Sequence, residues 1–305
     1  EKRTRGGRTN KDEMGSMEVI KILQGNCLEV LKDLPEQSVN TCITSPPYWG
    51  LRNYQEEEQL GLEDTPEEYV ENLVKVFREV KRVLRDDGTV WLNLGDSFSK
   101  EKQLNGIPWR VAFALQEDGW YLRQDIIWHK PNPMPESVKD RCTKAHEYIF
   151  LLSKNKKYYF DNEAIKEDAI NVGKSISLGE KSFSKRQAEG MNVNPSGNAF
   201  SSSYKVLEKR NKRSVWTVPT KPFRDAHFAT FPPDLIKPCV LAGCPEGGTV
   251  LDPFGGAGTT GLVAEQNNRD SILIELNPEY AQIARDRLYN DAPLFVDVES
   301  EVWKS

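Results

Sequence analysis

VLDPFGGAGTTGLVAEQ, residues 250–266, predicts a strand, a glycine-rich loop and a helix in immediate succession. Glycines such as Gly255, Gly256 and Gly258 let a backbone approach a ligand closely, and a helix start presents N–H groups to it. Glu275 ends the next apolar run, at the spacing where nucleotide-binding α/β folds carry a carboxylate for ribose hydroxyls. We therefore predict a site for an adenosine-type ligand. The alternative is a tight turn without a ligand.

The residues around these glycines narrow the type of ligand. No Gly-Lys-Ser/Thr run follows the loop, which argues against a P-loop phosphate site. Asp252 and Phe254 stand where a dinucleotide site leaves room for a pyrophosphate, which argues against NAD. A carboxylate and an aromatic ring suit a ligand with a cationic head and no phosphate, such as S-adenosylmethionine. The carboxylate would face an ammonium group or order its surroundings, and the ring would cover the methionine chain.

Strand and helix patterns alternate along the rest of the chain. The helix pattern is strongest at residues 65–88, where Thr65 and Glu68 form a capping box, Pro66 occupies the first helical position and Gly88 follows the end. Further helices are predicted at 106–120 and 231–244. Alternation of this kind predicts an α/β fold with a doubly wound, mostly parallel sheet. Predicted strands fall at 17–25, 39–44, 88–96, 121–130, 146–154, 248–252 and 270–275.

Changes in composition divide the chain into five segments. Residues 161–213 are rich in Asn, Ser, Gly, Lys and Glu and poor in apolar residues, which is typical of a loop-rich insertion. The segments are a disordered or expression-derived tail (1–16), one half of the main domain (17–160), the insertion (161–213), the half that carries the glycine-rich loop (214–290) and a C-terminal tail (291–305).

Composition also limits the class of protein. The 305 residues are 38% hydrophobic and 29% charged, with a net charge of −5. No apolar run is long enough to span a membrane, and no signal peptide is recognisable, so we expect no membrane partner. The five cysteines form no CxxC pair and the histidines show no ligand spacing, which indicates reduced thiols and no metal. We expect an intracellular protein, in the cytoplasm or nucleoid of a bacterium or phage host, or in a eukaryotic nucleus.

TCITSPPYWG, residues 41–50, is a second unusual stretch, because two prolines follow a short apolar run. Prolines fix backbone dihedrals and remove amide donors, which leaves carbonyl oxygens able to accept hydrogen bonds. The pattern predicts a stiff turn at the end of a buried strand, suited to a ligand that carries N–H donors. The alternative is a plain proline turn.

TSPPYW and DPFGGAGTTGLVA together resemble the paired motifs of the amino-group DNA methyltransferases. The catalytic-type motif at 44–49 precedes the cofactor motif at 252–260, which is the permuted order called the beta class. The resemblance covers roughly residues 17–290. It implies a Rossmann-like, mostly parallel sheet of seven strands with an antiparallel edge hairpin, and an inserted target-recognition segment. Both motif loops would then lie at the carboxyl ends of adjacent strands.

The resemblance implies S-adenosyl-L-methionine as cofactor, S-adenosyl-L-homocysteine as product and no metal. QGNCLEVL at 24–31 looks like the segment that contacts the cofactor adenine, although Asn26 replaces the family's usual Asp. HFATFPPDL at 227–235 looks like the entry to the cofactor-side helix. The implied cofactor-binding residues are Asn26, Cys27, Thr44, His227, Phe228, Asp252, Phe254, Gly255, Gly256, Gly258, Thr259, Thr260, Glu275 and Asn277.

The same resemblance assigns catalysis to Ser45, Pro46, Pro47 and Tyr48. An exocyclic amino group is a poor nucleophile because its lone pair is conjugated with the ring. Ser45 Oγ and the Pro46 carbonyl would accept hydrogen bonds from its two N–H groups. These hydrogen bonds would favour a pyramidal, nucleophilic nitrogen. Pro47 would stiffen the turn, and Tyr48 would stack on a base rotated out of the duplex. Flipping costs a few kcal/mol, and aromatic stacking recovers about 1–3 kcal/mol.

The target base stays open at this stage. Ser in the first motif position favours the N4 amino group of cytosine by family resemblance, whereas Asp or Asn there is more usual for adenine N6. Two rival functions are a catalytically idle DNA-binding module and a methyltransferase acting on RNA or a protein amide. HEYIFLLSK at 146–154 resembles the strand behind the target-base pocket.

Double-stranded DNA is the expected partner, and the insertion is the expected target-recognition segment. Clustered basic residues suit phosphates despite the acidic total, the alternative being a solvated charged surface. A homodimer and a separately acting cognate restriction endonuclease stay open. The predicted DNA-binding residues are Lys130, Lys139, Arg141, Lys144, Lys209, Arg210, Lys212 and Arg213.

Overall fold

The structure is a computed structural model of the 305-residue chain. Within the described ranges, the secondary structure largely follows the predicted alternation of strands and helices. The described residues are 18–51, 56, 58–170, 175–177, 203–205, 208–221, 231–291 and 296–303.

Strands and helices follow one another from the N-terminal strand β1 to the C-terminal strand β13. In chain order, the elements are β1 (Glu18–Gln24), α1 (Cys27–Asp33), β2 (Val39–Thr44), α2 (Pro66–Val83), β3 (Leu84–Leu94), α3 (Ile107–Glu117), β4 (Tyr121–His129), β5 (His146–Ser153), β6 (Glu167–Asp168), β7 (Ser175–Ser177), β8 (Ser203–Lys205), β9 (Lys209–Arg210), β10 (Val215–Thr217), α4 (Pro233–Gly243), β11 (Thr249–Asp252), α5 (Thr259–Glu265), β12 (Asp270–Glu275), α6 (Pro278–Asp291) and β13 (Val296–Val302).

The main sheet has nine strands in the described residues, in the order β10-β4-β5-β3-β2-β11-β12-β1-β13. Only β5 runs antiparallel to its neighbours. The expected count of seven strands is therefore too low, because β10 and β13 extend the sheet at its two ends. The antiparallel hairpin β4–β5 is also not at the edge, since β10 pairs with β4 in parallel. The expected class, a mostly parallel α/β sheet, is confirmed.

The chain forms two compact units. The first comprises residues 1–164 and 213–305 and contains the nine-stranded sheet, and the second comprises Ile165–Lys212. In the second unit, β6 pairs with β9 and β7 pairs with β8, both antiparallel. These bounds lie close to the insertion that composition indicates at 161–213.

Helix α2 begins as its capping box predicts. The Thr65 side chain accepts a 3.2 Å hydrogen bond from the Glu68 amide, and Pro66 is the first helical residue. The helix ends five residues before Gly88, because Leu84 adopts an extended conformation and begins β3. Gly88 thus lies inside a strand, where an added Cβ would come within 2.9 Å of the Arg85 carbonyl oxygen.

The C-terminal segment expected as a tail supplies an edge strand. β13 pairs in parallel with the whole of β1. Trp303 then donates its amide to the Gln24 carbonyl at 2.9 Å, and its ring lies against Gly25. The sequence VDVESEV did not indicate this strand, because four of its seven residues are polar. Such a sequence is compatible with an edge strand, which has a neighbour on one side only.

Apolar side chains of the described residues pack on both faces of the sheet. One cluster packs α1, α2 and α3 on the central strands, and another packs α5 and α6 on β1 and β12. Leu273 and Ile274 are consecutive in β12 and belong to different clusters, as expected because successive strand residues face opposite ways. Among the described helices, none has the length and apolar character needed to cross a membrane.

Candidate active site

The two motifs singled out from the sequence meet at one edge of the sheet. β2 and β11 are parallel neighbours, with Thr41 opposite Val250 and Cys42 opposite Leu251. Because parallel strands end at the same edge, the Ser45 turn after β2 and the glycine-rich loop after β11 lie side by side. Chain segments more than 200 residues apart in sequence thus form one site.

Asp252 is the buried link between these two loops. One carboxylate oxygen accepts hydrogen bonds from Thr44 Oγ1 at 2.6 Å and from the Phe254 amide at 3.1 Å, and the other accepts from Thr260 Oγ1 at 2.6 Å. Burial raises the pKa of this carboxyl to about 6, although these hydrogen bonds act in the opposite direction. Of the two roles considered for Asp252, the geometry fits the ordering of its surroundings rather than direct contact with an ammonium group.

Glu275 ends β12 beside the glycine-rich loop. Its two carboxylate oxygens accept from the amides of Gly256 at 2.7 Å and Asn277 at 2.9 Å. Burial raises its pKa to about 7, and the negative charges of Asp252 and Glu56 add to the rise. Each oxygen retains acceptor capacity, so the carboxylate can still receive ribose hydroxyls.

Each of the three positions in the loop requires or favours glycine for a different structural reason. An added Cβ at Gly255 would lie 3.0 Å from Leu273 Cβ, and one at Gly258, which has a φ of +77°, would lie 3.0 Å from Ala284 Cβ. Gly256 also has a positive φ, of +51°, but its added Cβ would meet only one atom, at 3.9 Å. Two of the glycines thus allow close packing of the loop, and Gly256 leaves its backbone facing open space, as a ligand cradle requires.

Two further predicted cofactor residues lie near the start of α1. Asn26 caps this helix by accepting from the Leu28 amide at 2.9 Å, and its side-chain amide donates to Glu58 at 2.8 Å. Burial raises the pKa of the Cys27 thiol to about 12, so Cys27 serves as a neutral, apolar group. Two more residues of the predicted cofactor set, His227 and Phe228, lie outside the described residues.

Glu56 is a member of this site that the sequence did not suggest. It accepts from the Asn277 side chain at 3.1 Å, whereas Glu58 binds Asn26. Both belong to the run EEE at 56–58, which looks like ordinary charged surface in the sequence. With Asp252 and Glu275 they make the region acidic, which suits a cationic ligand and opposes a pyrophosphate. The residues present therefore fit a sulfonium-bearing nucleoside.

Several hydrogen bonds stabilise the Ser-Pro-Pro-Tyr turn. Tyr69 Oη donates to the Pro47 carbonyl at 2.8 Å, and Ser45 Oγ donates to Tyr48 Oη at 3.3 Å. Trp49 Nε1 donates to the Glu63 carbonyl at 2.9 Å. These hydrogen bonds hold the turn from α2 and from the loop before that helix.

Tyr48 lies in a polar network with residues of β3 and β5. Its hydroxyl donates to Glu147 Oε2 at 2.8 Å and lies 3.2 Å from Asn93 Oδ1. Glu147 in turn forms an ion pair with Lys130. Burial raises the pKa of the Tyr48 phenol well above its usual value, and the charge of Glu147 adds to the rise, so the phenol stays protonated. A Cβ at Gly95 would lie 2.5 Å from Tyr48 Cε2, so the ring needs this glycine.

Glu147 and Asn93 are functional candidates that sequence reasoning missed. Asn93 is the second-last residue of β3 and Glu147 the second residue of β5, and both lie at the edge of the sheet where the site forms. Because β5 runs antiparallel, its first residues reach the carboxyl edge of the parallel strands. A charged residue at the start of an apolar antiparallel strand was the available signal.

Three basic residues predicted to contact DNA have partners within the first unit. Lys130 binds Glu147 in the pocket, and Lys144 Nζ donates to the Asp96 carbonyl at 2.6 Å, where burial lowers its pKa. Arg141 pairs with Glu136 at 3.2 Å. Lys130 thus forms an ion pair beside the Tyr48 hydroxyl, and a contact of Lys130 with DNA stays a prediction.

Of the remaining predicted DNA contacts, Lys209, Arg210 and Lys212 belong to the second unit, and Arg213 and the exposed Lys139 belong to the first. Lys209 pairs with Asp168 at 2.8 Å and Arg210 pairs with Glu167 at 3.0 Å, both within that unit. Lys212 is half-buried and Arg213 is exposed, at the two sides of the boundary between units. No group of three or more His, Cys, Asp or Glu side chains suited to a metal occurs in the described ranges.

Comparison with known proteins places the chain in a family. The model of the N6/N4 DNA methylase family matches residues 39–286. The type II methyltransferase M.Cfr9I of Citrobacter freundii is 45% identical over 298 residues, which cover 88% of each chain.

Solved structures agree with this fold. A Thermus thermophilus protein assigned as a DNA modification methylase, solved in complex with S-adenosyl-L-methionine, matches with 26% identity and a TM-score of 0.61 over 92% of this chain and 99% of its own. The PvuII DNA methyltransferase, described as cytosine-N4-specific, matches with a TM-score of 0.66 over 93% of this chain and 98% of its own, but its 20% identity supports the fold alone. The family match and the extended identity to M.Cfr9I together establish that this chain belongs to the N6/N4 family of DNA methylases, among the type II methyltransferases.

Proposed function

We propose that this protein methylates the N4 amino group of cytosine at specific sites in double-stranded DNA, with S-adenosyl-L-methionine as methyl donor. The observation that supports the proposal most directly is the Thr44–Asp252 hydrogen bond, which ties the Ser45 turn to the glycine-rich loop. A site for a nucleoside cofactor and a turn rich in acceptors are thereby held together. The order of the motifs along the chain favours the permuted, beta-class arrangement.

The acidic side of the site holds the cofactor in this proposal. S-adenosyl-L-methionine supplies a methyl group on a positively charged sulfonium. The Glu275 carboxylate would accept hydrogen bonds from the ribose hydroxyls, and Phe254 would cover the methionine chain. Asn26 and Cys27 border the adenine, while Asp252 keeps the loop in place through Thr260.

The Ser45 turn positions the nucleophile. Ser45 Oγ and the Pro46 carbonyl accept hydrogen bonds from the two N–H groups of the target amino group. These hydrogen bonds free the nitrogen lone pair from conjugation with the ring. The Pro47 carbonyl is engaged by Tyr69 and anchors the turn. In-line transfer tolerates little misplacement of the reacting atoms, so this anchoring contributes to the rate. The amino nitrogen can release its extra proton after it has gained the methyl group, so no strong base is needed before transfer.

Tyr48 holds the target base outside the duplex. Rotation of a base out of the stack costs a few kcal/mol, and stacking on an aromatic ring recovers about 1–3 kcal/mol. The two energies are of similar size, so Tyr48 offsets most of the flipping cost. Removal of the ring should therefore weaken DNA binding as well as slow the chemistry.

Cytosine is favoured over adenine by Ser45, the first residue of the motif. Adenine N6 is the alternative target, and the identity of the methylated nucleoside decides between them. The acidic cofactor site and the intact Ser45 turn argue against a catalytically idle DNA-binding module. As for the type II relative, we infer a role in restriction–modification, inside the cell where the DNA is.

The segment 161–213 is our candidate for target recognition. Lys209 and Arg210 lie on β9 in a short two-stranded ribbon, where each forms an ion pair with a carboxylate of β6. Hydrogen exchange across 165–212 should slow when a duplex containing the target site is added. If exchange there is indifferent to DNA, recognition lies elsewhere in the chain.

Transfer of a labelled methyl group from S-adenosyl-L-methionine to plasmid DNA tests the proposed activity. Wild-type protein should label DNA, and Ser45→Ala should label it far more slowly while it still binds S-adenosyl-L-homocysteine. Equal labelling by both proteins would assign the chemistry to another part of the molecule. Label in RNA or protein, with none in DNA, would contradict the proposal.

A further inference from the structure

We propose that Glu147, held in place by Lys130, sets the direction of the hydroxyl hydrogen bonds at Tyr48 and Ser45. The Ser45 hydroxyl proton points towards Tyr48 Oη, so Ser45 Oγ offers its lone pairs rather than its proton to the target amino group. This inference rests on the proposed function, since it concerns how the same turn accepts the N–H donors. It makes Glu147 a positioning residue that acts through Tyr48.

The first support is the placement of the charged pair. Glu147 and Lys130 expose only 15% and 18% of their side chains. Glu147 lies beside the Tyr48 hydroxyl, and Lys130 follows the last residue of β4, with its Nζ 4.2 Å from the centre of the Trp128 ring. A buried ion pair is costly to form, and loss of one partner leaves an uncompensated charge. Such a pair at the proposed base pocket calls for a specific role.

The second support is the hydrogen-bond count at Tyr48. A phenol has one proton, and two acceptors are near it: Glu147 Oε2 at 2.8 Å and Asn93 Oδ1 at 3.2 Å. The carboxylate is closer and charged, and charge-assisted hydrogen bonds are stronger, so the proton goes to Glu147. Asn93 is oriented by its side-chain nitrogen, which donates to the Tyr148 carbonyl at 3.1 Å and to Glu147 Oε2 at 3.4 Å.

The direction of the Ser45 hydrogen bond follows from that assignment. Once its proton is committed to Glu147, Tyr48 Oη can only accept, and Ser45 Oγ is the donor 3.3 Å away. This distance is longer than the usual distance of about 2.7–2.8 Å between two hydroxyls, so the contact fixes an orientation more than it adds strength. The lone pairs of Ser45 then point away from Tyr48.

An oriented hydroxyl matters because the target amino group carries only donors at its two N–H bonds. A hydroxyl that rotates freely would present its own proton to this group in part of its orientations. Acceptors that are already aligned before the reaction need no reorganisation during it. Lys130 keeps the Glu147 carboxylate in position, and thereby keeps Tyr48 a donor.

Single-turnover methyl transfer on a cycle of variants tests the relay. Tyr48→Phe keeps the stacking ring and removes the hydroxyl, and Glu147→Gln keeps the side-chain size and removes the charge. Each should slow the chemical step by about tenfold to a hundredfold, the loss expected for a hydrogen bond to a charged acceptor. The double variant should be no slower than Tyr48→Phe alone, and Ser45→Ala/Glu147→Gln no slower than Ser45→Ala. Affinities for S-adenosyl-L-homocysteine and duplex should change by less than about threefold.

The outcomes separate the relay from the proposed function. If the wild type transfers no methyl group to DNA, the proposed function fails. If it is active but the effects of Tyr48→Phe and Glu147→Gln multiply, Glu147 acts independently of Tyr48 and the relay is wrong. Should Glu147→Gln fold poorly because Lys130 loses its partner, Tyr48→Phe/Ser45→Ala carries the test. Its rate must equal that of Ser45→Ala, and a slower rate would overturn the relay.

Discussion

Thr44 Oγ1 donates a 2.6 Å hydrogen bond to the buried carboxylate of Asp252 and thereby joins the last residues of two adjacent strands. Ser45 follows the first strand directly, and the glycine-rich loop follows the second. Because Asp252 also accepts from Thr260, one carboxylate holds both the proposed catalytic turn and the start of α5. A change at this link should therefore affect cofactor binding and catalysis together.

Thr44→Val should reveal this coupling. It leaves a buried carboxylate oxygen short of one donor, which should lower the free energy of unfolding by about 1–3 kcal/mol and weaken S-adenosyl-L-homocysteine binding. Thr41→Val is the matched control, since Thr41 is buried in the same strand and hydrogen-bonds Thr89 rather than Asp252. Denaturant unfolding and calorimetric titration measure the two effects. Equal cofactor affinity in the two variants would refute the coupling.

Glu275→Ala should remove the acceptor for the ribose hydroxyls. The expected loss of S-adenosyl-L-homocysteine affinity is about 1.5–3 kcal/mol, the range for a hydrogen bond to a charged group. Glu279→Ala, at an exposed position in the first turn of α6, should bind normally in the same calorimetric titration. Unchanged affinity in Glu275→Ala would sink the assignment of this carboxylate.

Stability should fall as the pH rises from about 4 to about 7. The pKa of Asp252 is raised from 3.8 to about 6, and that of Glu275 from 4.5 to about 7. In this window the folded protein keeps protons that the unfolded chain has lost, so folding is favoured at the acidic end. Glu275→Gln removes one of these groups and should flatten the upper part of the window. Denaturant unfolding of both proteins at matched pH values measures the difference, and parallel curves would contradict the raised pKa of Glu275.

Gly95→Ala should displace the Tyr48 ring. The added methyl group would lie 2.5–2.9 Å from two ring carbons, which is too close for any side chain. Overpacking of this kind costs about 1–3 kcal/mol, so we expect lower stability and slower single-turnover methyl transfer, with S-adenosyl-L-homocysteine binding preserved. In a Tyr48→Ala background the same substitution should cost little. An equal cost in both backgrounds would show that Gly95 serves another purpose.

Local patterns were sufficient to predict much of the fold. The capping box at Thr65 marks the start of α2, and the glycine-rich loop lies between β11 and α5, because each is specified within a few residues of sequence. The helix end at Val83 and the edge strand β13 were missed. Strand pairing determines both, and pairing depends on residues far away in the sequence.

The same distinction explains what was missed in the site. Ser45 and Glu275 belong to motifs that can be recognised from short stretches of sequence, and the structure places both residues at the same edge of the sheet. The contact of Glu56 with Asn277 joins residues 221 positions apart, and the Lys130–Glu147 pair depends on the antiparallel pairing of β4 with β5. Only the antiparallel return of β5 brings Glu147 to Tyr48, so no spacing rule could have indicated it.

The most direct test of the account identifies the modified nucleoside. Plasmid DNA treated with the protein and S-adenosyl-L-methionine is digested to nucleosides and analysed by mass spectrometry, with Ser45→Ala-treated DNA as the control. We expect N4-methylcytidine in the deoxy form from the wild type and a trace of it at most from the variant. N6-methyladenine would keep the methyltransfer chemistry and reject the cytosine assignment. DNA without any methylated amino group, under conditions where the protein binds S-adenosyl-L-methionine, would contradict the account as a whole.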